Sequence, residues 1–264
     1  GGITLADGTA FGGTAEGEPL YRYYGYVVDH IIETQEQADN AMYDSSAKGY
    51  RPSDGKNIAG RKEIGDYEWK NREGSQTKDG KDYIDSQDQF LLGYTVPHST
   101  GGLNNNFTYK NFTLNIFVDW ALGHSINNNS EMRYFMNTFA NNYTLIDEVK
   151  QCWKQPGDNT KYARFTANDP DDGNANFSRT SNVFNYKGDY LCIREISLQY
   201  NVPTNKLTKL GIQNLAITLA GNNLHYFTAV KGVSPEVGAS TTYNKDYYNY
   251  PPIRKYSVGV KVTF

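Results

Sequence analysis

The sequence contains little cysteine and no long apolar run. Its 264 residues include only Cys152 and Cys192, which stand outside any CxxC or Cys/His spacing, so neither a disulfide framework nor a zinc site is predicted. No stretch of about 18 apolar residues occurs, which excludes a membrane-spanning helix. The first residues lack the features of a signal peptide, and the chain does not begin with Met. We therefore expect a mature segment or the C-terminal part of a longer protein.

Excess basic charge and catalytic motifs are also missing. The formal net charge is -3, so no nucleic-acid partner is predicted, because such partners are held through their phosphates. The four histidines do not fall into an HExxH spacing, and no GxSxG stretch occurs. Asp171 and Asp172 fit a solvated turn better than a pair of glycosidase acids. We predict that the chain is not an enzyme and has no catalytic residue.

Aromatic residues are abundant instead. They make up 14% of the sequence, with 22 tyrosines, which is too many for a disordered chain. Five segments have side chains that alternate in twos between apolar and polar, as strands require. These segments are 101–109, 112–122, 190–200, 215–223 and 256–264.

The alternation predicts specific strand features. The first two segments are separated by Lys110 and Asn111, which indicates a hairpin. In the third segment the apolar positions change parity at Arg194 and Glu195, which indicates a β-bulge. The last segment is expected to pair with the strand that contains Leu215.

The lengths of the connections indicate a membrane protein. Two short or moderate links alternate with the long polar loops 123–189 and 224–253, as in a transmembrane antiparallel β-barrel. The same alternation is also compatible with a soluble β-sandwich or jelly roll. Five strands do not close a barrel with a lumen, so further strands are expected from outside the chain.

One face of these strands is strongly polar. It includes Asn115, Asp119, Asn222 and Lys261, which suit a water-filled lumen, while the opposite face is large and apolar. We predict that these four residues face the lumen.

A family resemblance extends over most of the chain. The upstream segments "YRYYGYVVDH" and "GDYEWKN" and the order of residues in the last third closely resemble the C-terminus of SusC/RagA-type TonB-dependent outer-membrane transporters. The residues that carry the resemblance in the last third are Tyr190, Leu191, Pro203, Gly211, Ile212, Asn223, Leu224, Gly232, Pro235, Glu236, Tyr250, Pro251 and Phe264.

The resemblance implies an all-β fold, with this chain supplying roughly the last five strands of a plugged barrel of about 22 strands. Residues 1–101 are then an extracellular loop region, and residues 102–264 hold the C-terminal strands. The implied function is TonB-dependent import of large nutrients, oligosaccharides or peptides, through the outer membrane of a Gram-negative bacterium of the Bacteroides type. The implied partners are a SusD-like lipoprotein lid, outer-membrane lipid and the TonB complex, the last through parts absent from this chain.

Two alternatives stay open at the level of the sequence. In the first alternative, the chain is a soluble β-sandwich carbohydrate-binding module. In the second, its loops serve only as a docking surface for the lipoprotein. Ligand contacts are expected from loop aromatics, because their rings pack on sugars and apolar side chains. The candidates are Trp69, Trp153, Tyr243, Tyr247 and Tyr248.

Two departures from the family pattern affect possible sites. No cofactor is predicted, with calcium as an alternative in the acidic stretch that holds Asp79, Asp82, Asp85 and Asp88, because carboxylate oxygens suit that ion. Lys81 and Asp82 stand there in place of an acid and a turn glycine. Ser234 replaces an aspartate of the family pattern, which puts any role of that carboxylate in doubt.

Overall fold

The structure is a computed structural model and describes residues 3–4, 10–11, 17, 19, 21–44, 50–51, 56–57, 62–72, 82–136, 144–166, 176–203, 205, 207, 211–236, 250 and 252–264. The chain divides into two compact units. The sheet unit comprises residues 97–124, 187–237 and 249–264, and the short-strand unit comprises residues 1–96, 125–186 and 238–248. None of the described helices is long and apolar enough to span a membrane.

Strands dominate the described elements. In chain order these elements are β1 (Ile3–Thr4), β2 (Ala10–Phe11), β3 (Arg22–Gly25), β4 (Val28–Ile31), α1 (Gln35–Asn40), β5 (Tyr43–Asp44), β6 (Tyr50–Arg51), β7 (Lys56–Asn57), β8 (Tyr67–Trp69), β9 (Tyr83–Ile84), β10 (Phe90–Tyr94), β11 (Ser99–Tyr109), β12 (Phe112–Leu122), β13 (Ser125–Asn127), α2 (Asn129–Met136), a 3-10 helix (Asp147–Gln151), β14 (Asn185–Lys187), β15 (Tyr190–Asn201), β16 (Asn214–Thr228) and β17 (Lys255–Thr263).

The strands of the short-strand unit form small two-stranded sheets. β3 pairs with β10, and β4 pairs with β8, both antiparallel, whereas β5 and β9 run parallel. Helix α1 begins at a capping box, in which Thr34 Oγ1 accepts from the Gln37 backbone N–H at 3.2 Å and Gln37 Oε1 accepts from the Thr34 N–H at 3.1 Å. These local bonds satisfy N–H groups that a helix start leaves without partners.

An aromatic core holds the short-strand unit together. Tyr67 and Trp69 of β8 are buried and meet edge to face, with ring centroids 5.4 Å apart. Phe135 of α2 lies 5.2 Å from the rings of both Phe177 and Phe184. Because these residues come from stretches far apart in the sequence, regions predicted as separate loops share one core.

Five long strands form the described part of the sheet unit. They pair antiparallel in the order β11-β12-β15-β16-β17. β11 and β12 are joined by Lys110 and Asn111, and Lys110 has a φ of 52°, which two-residue hairpin turns favour. The predicted hairpin is confirmed, as is the pairing of the terminal strand with the strand of Leu215.

The strand register produces one apolar and one polar face. Phe107, Leu114, Leu198, Leu219 and Val258 occupy one row across all five strands. Phe107 is 57% exposed, Leu219 is 52% exposed and Val258 is 73% exposed. Soluble monomers seldom expose a contiguous apolar patch of this kind.

Two predicted boundaries are wrong. β11 begins at Ser99, whereas the sequence places the loop region up to residue 101. Gly101 and Gly102, which follow Ser99 and Thr100 in this strand, lack side chains, so no alternation is visible there. β16 continues to Thr228, whereas the sequence predicts loop from residue 224. An irregularity at Asn223, which has a φ of 51°, interrupts the alternation and hides the end of the strand.

Candidate functional site

The four polar residues predicted to face a lumen share one side of the sheet. Asn115 and Asp119 lie four residues apart on β12, so their side chains project from the same side. The strand register places Asn222 of β16 and Lys261 of β17 on this side as well. The polar face therefore presents amide and charged groups opposite the apolar face.

Arg194 occupies a β-bulge in β15. Phe117 and Val118 of β12 are consecutive, but they pair with Glu195 and Ile193, so Arg194 is the extra residue. The predicted change of parity at Arg194 and Glu195 is thus confirmed as a bulge. A bulge redirects the side chain of the extra residue, and here it brings the guanidinium to Asp119 on the polar face.

The Arg194 cluster consists of Arg194, Asp119, Asn223, Tyr226 and Glu236. Arg194 Nε and Nη2 donate to the two oxygens of Asp119 at 2.8 and 2.7 Å, which is a bidentate ion pair. Nη1 donates to Asn223 Oδ1 at 2.8 Å and to the Tyr226 hydroxyl at 3.2 Å. Nη2 also donates to Glu236 Oε1. The cluster therefore joins three strands and contains one more carboxylate than guanidinium.

The same cluster holds both ends of the connection between β16 and β17. Glu236 follows β16 and is bound by Arg194. Ile253 precedes β17, and its carbonyl oxygen accepts a hydrogen bond from Asn223 Nδ2 at 3.2 Å. Asn223 therefore bridges from Arg194 to the far end of the connection.

Ser234 stabilises the turn that presents Glu236. Its Oγ accepts a hydrogen bond from the Glu236 backbone N–H at 3.3 Å. An aspartate side chain accepts the same kind of bond. The departure from the family pattern at Ser234 therefore retains the acceptor that this turn uses.

The loop aromatics predicted to contact ligand have different environments. Trp69 is 0% exposed in the aromatic core, so the prediction that its ring contacts ligand is wrong. Trp153 is partly exposed, and Gly65 lies against its ring. Tyr243, Tyr247 and Tyr248 lie outside the described residues, and their ligand contacts stay predictions.

The described part of the acidic stretch caps the backbone. Asp88 is 0% exposed, and its two oxygens accept from the backbone N–H groups of Arg72 at 2.6 Å and Asp85 at 2.8 Å. Asp82 is exposed, and Asp79 lies outside the described residues. Among the residues that the structure describes, no group of three or more acids, histidines or cysteines is placed to hold a metal ion.

The predicted site residues do not include Arg194 or Glu236. A charged residue at a change of parity inside an apolar strand is the signal that indicates Arg194. Glu236 has no comparable signal, because it lies 42 residues further along the chain and outside any strand. Only the folded sheet brings the two side chains together.

Comparisons with known proteins identify relatives of the chain. No family model matches it. It is 28% identical over 194 residues to TonB-dependent receptor P3 of Formosa agariphila, which covers 70% of the chain and 18% of that receptor. It is 27% identical over 200 residues to TonB-dependent receptor P39 of the same organism, covering 72% and 18%. The chain thus spans less than a fifth of the length of these relatives.

Solved structures show the same fold. The RagAB peptide transporter matches 93% of the chain with a TM-score of 0.61 and 17% identity, over 23% of the transporter chain. The RagAB peptide importer in its open-open state matches 78% of the chain with a TM-score of 0.57 and 19% identity, over 21% of its chain. At these identities the likeness concerns the fold.

Proposed function

Because the chain is a relative of the TonB-dependent receptors, as its sequence resemblance predicts, we propose that it forms part of an outer-membrane transporter that imports nutrients. The two-faced sheet is the observation that carries this proposal. A row of exposed apolar side chains crosses one face, and polar and charged groups occupy the other. An apolar face toward lipid and a polar face toward water are what a transmembrane barrel wall requires. A soluble β-sandwich instead buries one face of each sheet.

The proposed barrel needs strands beyond this chain. β11 and β17 are the edges of the five-stranded sheet, and within the described part of the chain each pairs on one side only. Unpaired backbone groups are not stable in lipid, so both edges must pair with further strands. We propose that the complete protein is the plugged barrel of about 22 strands that the resemblance implies. Asn115, Asp119, Asn222 and Lys261 then line its lumen.

The proposed cargo is a large nutrient, either an oligosaccharide or a peptide. The resemblance supports both classes, and one structural relative is a peptide transporter. The resemblance also supports a SusD-like lipoprotein lid, contact with the TonB complex through parts outside this chain, and an outer-membrane location in a Gram-negative bacterium of the Bacteroides type.

Gene deletion tests the proposed function. The native host is compared with strains that lack this gene or the TonB gene, and uptake of labelled oligosaccharide and peptide mixtures is measured. We expect both deletions to abolish uptake of the same nutrient, and the protein to fractionate with the outer membrane. Recovery in the soluble fraction, or uptake that persists without TonB, contradicts the proposal.

The role of the loop tyrosines separates nutrient binding from lipoprotein docking. We propose that Tyr243, Tyr247 and Tyr248 contact the nutrient, and their joint substitution by alanine tests this. We expect nutrient binding to fall while the lipoprotein still co-purifies. Loss of the lipoprotein from the purified complex instead assigns these residues to docking.

A further inference from the structure

A lysine-lined cavity opens on the surface of the short-strand unit. Its volume is about 420 Å³, within the range of small-molecule sites. Lys150, Lys154 and Lys161 line it, together with the side-chain amides of Gln151 and Asn159. Few apolar groups line the walls.

The charges in the cavity are unevenly distributed. Among the described lining residues, Asp158 alone is acidic, and its Oδ2 already accepts from the backbone N–H groups of Lys154 at 2.8 Å and Gln155 at 3.1 Å. Lys150 contacts Asp147 at 2.7 Å, but both side chains are exposed, so water screens this pair. For Lys154 Nζ, no hydrogen-bond acceptor is present among the described residues. The cavity is therefore cationic, although the chain has a net charge of -3.

Local bonds hold the cavity walls in place. Cys152 and Tyr162 form an isolated β-bridge, and the Trp153 N–H donates to the Tyr162 carbonyl oxygen at 2.9 Å. Thr160 Oγ1 donates to the carbonyl oxygen of Gln151, which ties the two walls together. A preorganised site loses less conformational entropy when a ligand binds.

Two tyrosines fix the position of Lys161. Its Nζ lies 5.2 Å from the ring centroid of Tyr162 and 5.1 Å from that of Tyr186. Their hydroxyls donate to Glu131 at 3.3 and 2.8 Å. Burial and the negative charge of Glu131 raise the pKa of Tyr162 to about 12, so this hydroxyl stays protonated and keeps donating. The ammonium group of Lys161 is thereby supported by a fixed aromatic surface.

A second cavity lies directly beside the first. It has a volume of about 440 Å³ and shares Asp158, Asn159 and Thr160 with the lysine-lined cavity. Its other walls include Glu33 and Gln37, which offer hydrogen-bond acceptors and donors. The two cavities therefore form adjacent polar sites of different charge.

We propose that the lysine-lined cavity binds an acidic sugar residue of an oligosaccharide, whose carboxylate lies against Lys154 and Lys161, while the next sugar occupies the second cavity. This proposal rests on the proposed import function. Amide, hydroxyl and ammonium groups match a ligand that is anionic and carries hydroxyls on all sides. Peptide recognition commonly uses a strand edge, an apolar groove or an aromatic-lined groove, and the described lining supplies none of these.

Titration of the complete transporter in detergent tests the proposal. Calorimetry compares glucuronosyl-xylobiose, which has one acidic sugar followed by neutral sugars, with its methyl ester and with pentaglutamate. We expect glucuronosyl-xylobiose to bind at least tenfold more tightly than either of the other two. Lys154→Ala weakens binding about threefold, and the double variant Lys154→Glu with Lys161→Gln weakens it at least tenfold. Raising the salt concentration is expected to reduce the differences in affinity between the wild type and these variants, because salt screens the ammonium groups.

Lys70→Glu is the matched control, because Lys70 is an exposed lysine of the same unit and lies outside the cavity lining. It is expected to leave the affinity unchanged. Unchanged binding by the double variant, absent binding of glucuronosyl-xylobiose, or equal affinity for pentaglutamate overturns the proposal. Outer-membrane fractionation and TonB-dependent uptake are measured separately, so failure of the import function is distinguishable from failure of this site.

Discussion

Arg194 shows how one residue connects several parts of the sheet unit. All three nitrogens of its guanidinium donate hydrogen bonds, and their acceptors lie on β12, on β16 and after β16. The side chain is 24% exposed, so these charged contacts are partly shielded from water. The bulge in β15 therefore places on this polar face the only arginine that the described residues supply there.

Substitution of Arg194 is expected to destabilise the sheet unit. Arg194→Met leaves Asp119 and Glu236 close together without a counter-charge, which we expect to lower the free energy of unfolding by about 2 to 3 kcal/mol. Arg194→Lys retains the charge but loses the bidentate geometry, so about half of that loss is expected. Denaturant unfolding of the purified protein in detergent measures both. Arg254→Lys, at an exposed position, is the control. An unfolding midpoint of Arg194→Met equal to that of the wild type contradicts the structural role of this cluster.

At the scale of elements, the hairpin of β11 and β12 depends on a missing side chain. Gly101 pairs with Trp120, and a Cβ atom at Gly101 would lie 2.3 Å from the indole ring. The ring thus covers the glycine, an arrangement that compensates for the absent side chain of a strand glycine. Gly259 of β17 provides a contrast, since a Cβ atom there has no neighbour closer than 4.0 Å.

Alanine is expected to destabilise the protein at Gly101 and to have little effect at Gly259. Gly101→Ala forces Trp120 to move, and we expect it to lower the stability of the folded protein by about 1 to 3 kcal/mol, as overpacking does. Gly259→Ala adds a methyl group in open space and is expected to be within about 0.5 kcal/mol of the wild type. Samples are incubated at a series of temperatures and run on gels without boiling. The temperature at which the band of the folded protein disappears ranks the variants. Equal temperatures for both variants count against the packing of Trp120 on Gly101.

The strands of the sheet unit were predictable to different extents. β12 alternates over its full length, so the hairpin and the face of Asp119 follow from the sequence. The end of β16 does not follow from the sequence, because the irregularity at Asn223 breaks the alternation.

In the short-strand unit, the burial of Trp69 could not be predicted from the sequence, since β8 has three residues and is too short for a periodic pattern. Its core is assembled from residues distant in the sequence, which periodicity does not detect.

At the scale of the whole molecule, the two faces of the sheet require two solvents. The row from Phe107 to Val258 is apolar and exposed, whereas the opposite face holds the Arg194 cluster and Lys261. In water alone, the apolar row would favour association with other apolar surfaces. In a membrane, lipid covers it, and the charged groups stay in the aqueous lumen. This second arrangement is the one that we propose for the chain.

Adjacent residues of β16 provide a direct test of this arrangement. Leu219 lies on the apolar face and Thr218 on the polar face, so one arginine can be placed on either side of the same strand. Leu219→Arg exposes a charge to lipid and is expected to cost about 2 to 4 kcal/mol near the bilayer midplane. Thr218→Arg places the same charge in the lumen and is expected to change membrane assembly little. The amount of heat-resistant folded protein in the outer-membrane fraction measures both. Equal assembly of the two variants would show that the two faces do not meet different solvents, and the barrel arrangement would then have to be abandoned.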